Sequence, residues 1–177
     1  MKTRQTSHIS ETPPELKDER ATPWNFFRAV EARLGAKFDL DIAASHRNAK
    51  CNSYFTKKMS AFDNPWGKAR LCWGNIPYSD ILPWVRLCRH EAHTKSRTVV
   101  MCLQPRMDTG TWVHKPYGVF NGSSEIVFCT PRIHYPYPGG PKEGEPGARP
   151  DFGTMLVVFS PTLVFGPPRV DSWRWRV

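Results

Sequence analysis

The chain has 177 residues, enough for one domain with a sizeable core, and no apolar run long enough to cross a bilayer. Its formal net charge of +9 points to a polyanionic partner, nucleic acid first. The five cysteines (Cys51, Cys72, Cys88, Cys102, Cys129) never form a CxxC pair, which argues against a zinc ribbon or a disulfide framework and for free, mostly buried thiols. The polar N-terminus "MKTRQTSHISETPPELKDER" has no apolar h-region, so the cytosol is the expected compartment.

Residues 1–20 read as a mobile tail. "TPWNFFRAVEARLG" predicts a helix, with Thr22 as N-cap, Pro23 in its first turn and Gly35 closing its end. Phe26, Phe27, Val30 and Leu34 share one face. "KFDLDIAAS" predicts a short strand entering a loop of small residues, "NSYFT" a second strand, and "RLCWG" a third that delivers the chain to Asn75. In "SDILPWVRLCRHEAH" the residues Ile81, Trp84, Val85, Cys88 and Ala92 recur at helical spacing, and Pro83 is tolerated in the first turn. "TVVMCL", "SEIVFC" and "GTMLVVF" read as later strands. "DTGTWVHK" fits a short helix or a loop. Residues 138–149 form a loop without large apolar side chains, and "VDSWRWRV" reads as a C-terminal tail.

Helices alternate with strands in the first half, and strands dominate the second. The expected fold is α/β, a mostly parallel central sheet with antiparallel strands at one edge. A tail over 1–20, one domain over 21–165 and a tail over 166–177 complete the expected organisation.

The chemistry concentrates in "CWGNIPYSD". Ligands of open α/β sheets bind beyond the carboxyl ends of strands, which is where Asn75 to Tyr78 would lie. Asn75 offers an amide oxygen, Ile76 a carbonyl, Pro77 a stiff turn without an N–H, and Tyr78 an aromatic face. Two acceptors beside a ring suit a planar base with an exocyclic NH₂. That amine is a poor nucleophile because its lone pair is delocalised. Gripping both N–H groups favours a pyramidal nitrogen that attacks a methyl group in line. A tetrapeptide of this type arises by chance in roughly one chain in ten of this length, so it decides nothing alone.

Its surroundings add specificity. "TPWNFF…FDLDIAASHRNAKCNSYFT…AFDNPWGKARLCWGNIPYSDILPWV", then "LQPRMDTGTWVH" and "PRIHY…GTMLVVFSP", resemble in this order the phage-type DNA N6-adenine methyltransferases. The resemblance runs from about Thr22 to Pro161. It implies a Rossmann-like methyltransferase fold, S-adenosylmethionine as donor, adenine in duplex DNA as substrate, and a phage or prophage setting in a bacterial cytoplasm. The family motif is usually Asn/Asp-Pro-Pro-Tyr. Ile76 replaces the first Pro, and Asn-Ile/Leu-Pro-Tyr also resembles the motif of ribosomal RNA adenine dimethylases. The departure bears on DNA against RNA more than on the chemistry.

By this resemblance Asn75, Ile76, Pro77 and Tyr78 are catalytic, the first two accepting from the target N6 amine and Tyr78 stacking on the flipped base. Thr22, Pro23, Asp41, Ala43, Ala44 and Asp63 are expected at the donor, with the small-residue loop standing in for an absent GxG. Asp39 competes with Asp41, two residues away on the same strand face. Arg106, Asp108 and Arg132 are candidates for nucleic acid. Trp173 and Trp175, with Arg174 and Arg176, fit either nucleic-acid stacking or packing of the tail on the sheet. The histidines show no ligand spacing, so no metal site is expected. Competing readings are an RNA adenine methyltransferase, methylation of a protein glutamine amide, and a non-catalytic DNA-binding protein that kept the fold.

Overall fold

The computed structural model describes residues 20–79, 81–106, 118–140, 153–162 and 167–176. Two helices, α1 (Trp24–Leu34) and α2 (Ile81–Lys95), accompany seven strands: β1 (Leu40–Asp41), β2 (Ser53–Tyr54), β3 (Leu71–Gly74), β4 (Thr98–Leu103), β5 (Glu125–Thr130), β6 (Thr154–Phe159) and β7 (Arg169–Arg174). All seven form one sheet, in the order β2-β1-β3-β4-β6-β5-β7.

Six strands run the same way, and only β6 opposes its neighbours. The sheet is therefore mostly parallel, as expected. The antiparallel pairing, expected at an edge, instead lies inside the sheet, where β6 separates β4 from β5. Every residue of β6 is buried. A continuous apolar run reports burial on both faces and carries no information on direction.

The tail expected at 166–177 also joins the sheet, with residues 169–174 pairing parallel to β5 as an edge strand. Its alternation of exposed and half-buried side chains is too polar to stand out as a strand. Trp175 then turns inward. Its backbone N–H donates to Thr130 O at 2.9 Å and its indole N–H to Pro131 O at 2.7 Å. Packing of this segment on the sheet is what is observed, with Trp175 edge-on to Phe26 at 5.2 Å.

Two apolar layers sandwich the sheet. On one face Phe26, Phe27 and Val30 of α1 bury against Trp73, Val100, Cys102 and Leu156. On the other, Ile81, Val85, Cys88 and Ala92 of α2 bury against Val99, Met101, Leu103 and Phe159. Alternate β4 residues serve opposite layers, which is why the whole run is apolar. Gly35 ends α1 at φ 65°, as its position suggested. Pro23 occupies the N-cap of α1 without a side-chain hydrogen bond, so Thr22 is not the cap.

Arg97 fixes the approach to β4. Its guanidinium bonds Glu91 at 2.8 Å and Gly67 O at 2.9 Å, and also donates to Ala69 O. Both side chains are largely buried, so this ion pair works in low dielectric and is well satisfied. No described helix is long and apolar enough to cross a membrane. The cysteines are free, as expected, with four of them buried.

Candidate active site

The parallel strands β1, β2 and β3 end side by side, and a cavity of about 730 Å³ opens beyond them. The loop after β1 continues the ladder as it leaves the sheet. Ile42 N–H donates to Trp73 O at 2.8 Å, Phe55 N–H to Asp41 O at 2.9 Å, and Ala44 N–H to Phe55 O at 2.9 Å. Gly74 lets β1 and β3 converge here. A Cβ on it would lie 2.8 Å from two Ile42 side-chain atoms, closer than carbon atoms pack.

Asp41 sits at this junction, only 2 % exposed. Its two oxygens accept from Ala43 N–H at 3.2 Å and Lys50 N–H at 3.0 Å. Burial pushes its pKa up to about 6, against the opposing pull of the two N–H groups and the Lys50 charge. Lys50 is itself half-buried, which lowers its pKa while Asp41 resists the shift. Its ammonium lies 4.3 Å from the Trp24 ring centroid. Asp39, the competing carboxylate, has a different task. It accepts from Arg70 and Leu71 N–H at 2.8 and 2.9 Å and so caps the start of β3, which holds its pKa down.

The segment 20–22 crosses the carboxyl edge of the sheet. Ala21 N–H donates to Pro136 O at 2.8 Å, and Arg20 O accepts from Asn75 Nδ2 at 3.0 Å. The first bond ties the segment to the region beyond β5, the second to the end of β3. With its NH₂ engaged, the Asn75 amide keeps its oxygen as the acceptor, and among the described residues that oxygen is met by the Tyr78 hydroxyl at a long 3.4 Å. Thr22 lines the cavity and is 3 % exposed, yet its hydroxyl has no partner among the described residues. An unsatisfied buried hydroxyl beside a cavity is a candidate partner for a polar ligand atom.

Of the residues expected at the site, Thr22, Asp41, Ala43, Ala44, Asn75 and Pro77 line this one cavity. Ile76 is buried in the core below it, and Pro23 caps α1 beside it. Tyr78 is half-buried against the α2-side core, and burial raises its hydroxyl pKa well above the ordinary value. Asp63 is exposed and does not line the cavity, whereas Ser60, Ala61 and Phe62 do. Arg106 and Arg132 are exposed, just beyond the carboxyl ends of β4 and β5. Asp108 lies outside the described residues, as do "DTGTWVHK" and most of the loop 138–149.

Sequence reasoning missed Lys50, the Phe62–Trp84 pair (centroids 4.6 Å apart) and Arg20, all of which line the cavity. Lys50 had no recognisable signal, because its role depends on the turn 45–50 folding back onto Asp41. Phe62 and Trp84 come from a loop and a helix 22 positions apart and meet only in three dimensions.

A mostly parallel sheet with one reversed strand inside it, and a ligand-sized cavity at the carboxyl ends of β1 to β3, are consistent with the Rossmann-like methyltransferase fold that the resemblance implies. A family model described as "DNA N-6-adenine-methyltransferase (Dam)" matches residues 9–163, and the chain belongs to that family. It is 33 % identical over 159 residues to the DNA N-6-adenine-methyltransferase of Haemophilus phage HP1 (strain HP1c1), covering 89 % of this chain and 87 % of that one. It is also 37 % identical over 68 residues to the DNA N-6-adenine-methyltransferase of Escherichia phage T1, covering 38 % and 28 % of the two chains.

Proposed function

We propose that this protein methylates N6 of adenine in duplex DNA with S-adenosylmethionine as donor, and that Asn75 to Tyr78 hold the target base. One observation carries the reading. A single cavity is lined by Asn75, by Asp41 with its buried carboxylate, and by Thr22, whose buried hydroxyl has no partner among the described residues.

The residues fit the donor. Its cationic groups suit Asp41, whose burial makes ionisation costly despite the nearby Lys50 charge. Lys50, beside Asp41, is placed to meet the donor's carboxylate. Ala43 and Ala44 allow close approach of backbone where larger side chains would block it. Phe62 and Trp84 offer aromatic surface for its adenine ring. When bound, the donor supplies an electrophilic methyl group.

The chain's own residues do the rest. The bond from Asn75 Nδ2 to Arg20 O fixes the amide so that its oxygen is available to a base NH₂. The Ile76 carbonyl supplies a second acceptor, and its apolar side chain, 2 % exposed, anchors the turn in the core. Replacing proline here therefore leaves the backbone role open to Ile76. Tyr78 would give its weak bond to Asn75 up to an incoming base and stack on it, which helps offset the cost of flipping. No group here need act as a strong base, since positioning and charge placement carry the rate. Arg106 and Arg132 stand where phosphates beside a flipped base would pass.

The test is transfer of labelled methyl groups from S-adenosylmethionine to unmethylated duplex DNA, with matched RNA and a glutamine peptide alongside. Label in N6-methyldeoxyadenosine is expected. Label confined to RNA or to the peptide would refute the substrate assignment. Donor binding with no transfer to any of the three would refute the catalytic role of the motif.

A further inference from the structure

We propose that β7 and the residues after it, which lie beyond the matched family span, extend the DNA-binding surface, with Arg132, Arg174 and Arg176 holding backbone phosphates. The inference rests on DNA being the substrate and adds where the duplex runs. The family match ends at residue 163, and β7 begins at Arg169.

The register locates the arginines. Thr130 pairs with Arg174 at the carboxyl ends of β5 and β7, so Arg174 lies on the same edge of the sheet as Asn75. Val127 and Cys129, in the α1-side core, are opposite Asp171 and Trp173. Arg174 therefore falls on the other face, where it is exposed. Trp175 binds the Thr130 and Pro131 carbonyls and so holds Arg174 and Arg176 next to the segment that carries Arg132. The Arg176 guanidinium lies 4.4 Å from the Trp175 ring centroid, an arrangement that orders it.

Charge identifies the occupant. The described residues that follow β4, β5 and β7 (104–106, 131–140 and 175–176) contain no carboxylate. Glu125 opens β5 at the opposite end, and Asp171 is held by Arg33 at 3.0 Å on the α1 side. Among the described residues, a polyanion laid along the carboxyl ends thus meets arginines without facing an acid there. From β3 to β7 is four strand spacings, on the order of 19 Å, or about half a turn of duplex. A base held at Asn75 would place its flanking backbone on this row.

The experiment is a salt titration of duplex binding by fluorescence anisotropy, for the wild type, the triple variant Arg132→Gln/Arg174→Gln/Arg176→Gln, and Arg169→Gln. Arg169 is an exposed arginine at the far, amino end of β7 and controls for loss of charge alone. Each lost phosphate contact lowers the slope of log K against log salt by about 0.9, so the triple variant should be shallower by about 2.7. Arg169→Gln should match the wild type, and donor affinity and melting temperature should stay unchanged in both. A triple variant with the wild-type slope, or one no shallower than Arg169→Gln allows per charge, overturns the surface while leaving the activity intact. A wild type that neither binds nor methylates DNA overturns the proposed function and this surface with it.

Discussion

If Asp41 meets the donor as proposed, it ties stability to function, and Asp41→Asn exposes the link. Its pKa rises from 3.8 to about 6 on folding. The folded state therefore holds the proton more firmly, and ionising Asp41 opposes folding. Below pH 4 both states are protonated and nothing is lost. As pH rises from about 4 to 6 stability falls, levelling out above at a total near 3 kcal/mol. About half of that loss, roughly 1.4 kcal/mol, falls between pH 5 and pH 8. Asn cannot ionise, but it offers one oxygen to the two N–H groups of Ala43 and Lys50, which costs about 1–3 kcal/mol at every pH. Urea unfolding at pH 5, 6, 7 and 8 should thus show the stability of the variant relative to wild type moving about 1.4 kcal/mol in its favour between pH 5 and pH 8. Donor affinity, by titration calorimetry, should rise with pH through 6 in the wild type and be weak and flat in the variant. Parallel stability profiles for the two proteins would mean that Asp41 ionises near its ordinary value, and the argument would fail.

Asn75→Ala should abolish methyl transfer while leaving donor affinity and melting temperature near wild type; a variant with normal turnover would remove Asn75 from the chemistry. Tyr78→Phe should retain most activity, since the bond lost is 3.4 Å long, whereas Tyr78→Ala should lose base stacking of about 1–3 kcal/mol, read as a fall in kcat/KM. Gly74→Ala should destabilise by about 1–3 kcal/mol, because Ile42 must move away from the new Cβ, and a denaturant midpoint equal to wild type would contradict that packing. Arg97→Ala should cost about 3–5 kcal/mol by leaving Glu91 buried and unpaired, a loss visible in thermal melts as well as in activity.

The sequence showed what local chemistry could write. Gly35, the apolar stripe of α2 and the run Thr98–Leu103 marked their elements directly. The turn after β3 drew notice because its residue types have few structural uses together. Direction was not legible, since β6 is apolar on both faces and would read identically in reverse. β7 was missed because an edge strand needs only one buried face, and its buried anchor, Trp175, lies just past its end. The choice between Asp39 and Asp41 needed three dimensions. Asp39 immediately precedes the two-residue strand that Asp41 ends, and only folding reveals that one caps β3 while the other is sealed beneath a cavity.

Sheet order also explains how one small domain can handle two large ligands. The cavity proposed for the donor is built from β1, β2 and β3, and the proposed arginine row from strands on the other side of β3. Asn75 stands at the border, and the segment 20–22 bridges it by bonding Asn75 on one side and Pro136 on the other. Ordering of that segment should therefore respond to both ligands. If donor binding satisfies Thr22, it also steadies Arg20 O, which positions the Asn75 amide before DNA arrives. Thr22→Val keeps the shape and removes the hydroxyl, so it should weaken donor binding and, through the same segment, lower turnover at saturating donor. A loss confined to donor affinity, with full turnover at saturation, would mean the segment holds the donor without preparing Asn75.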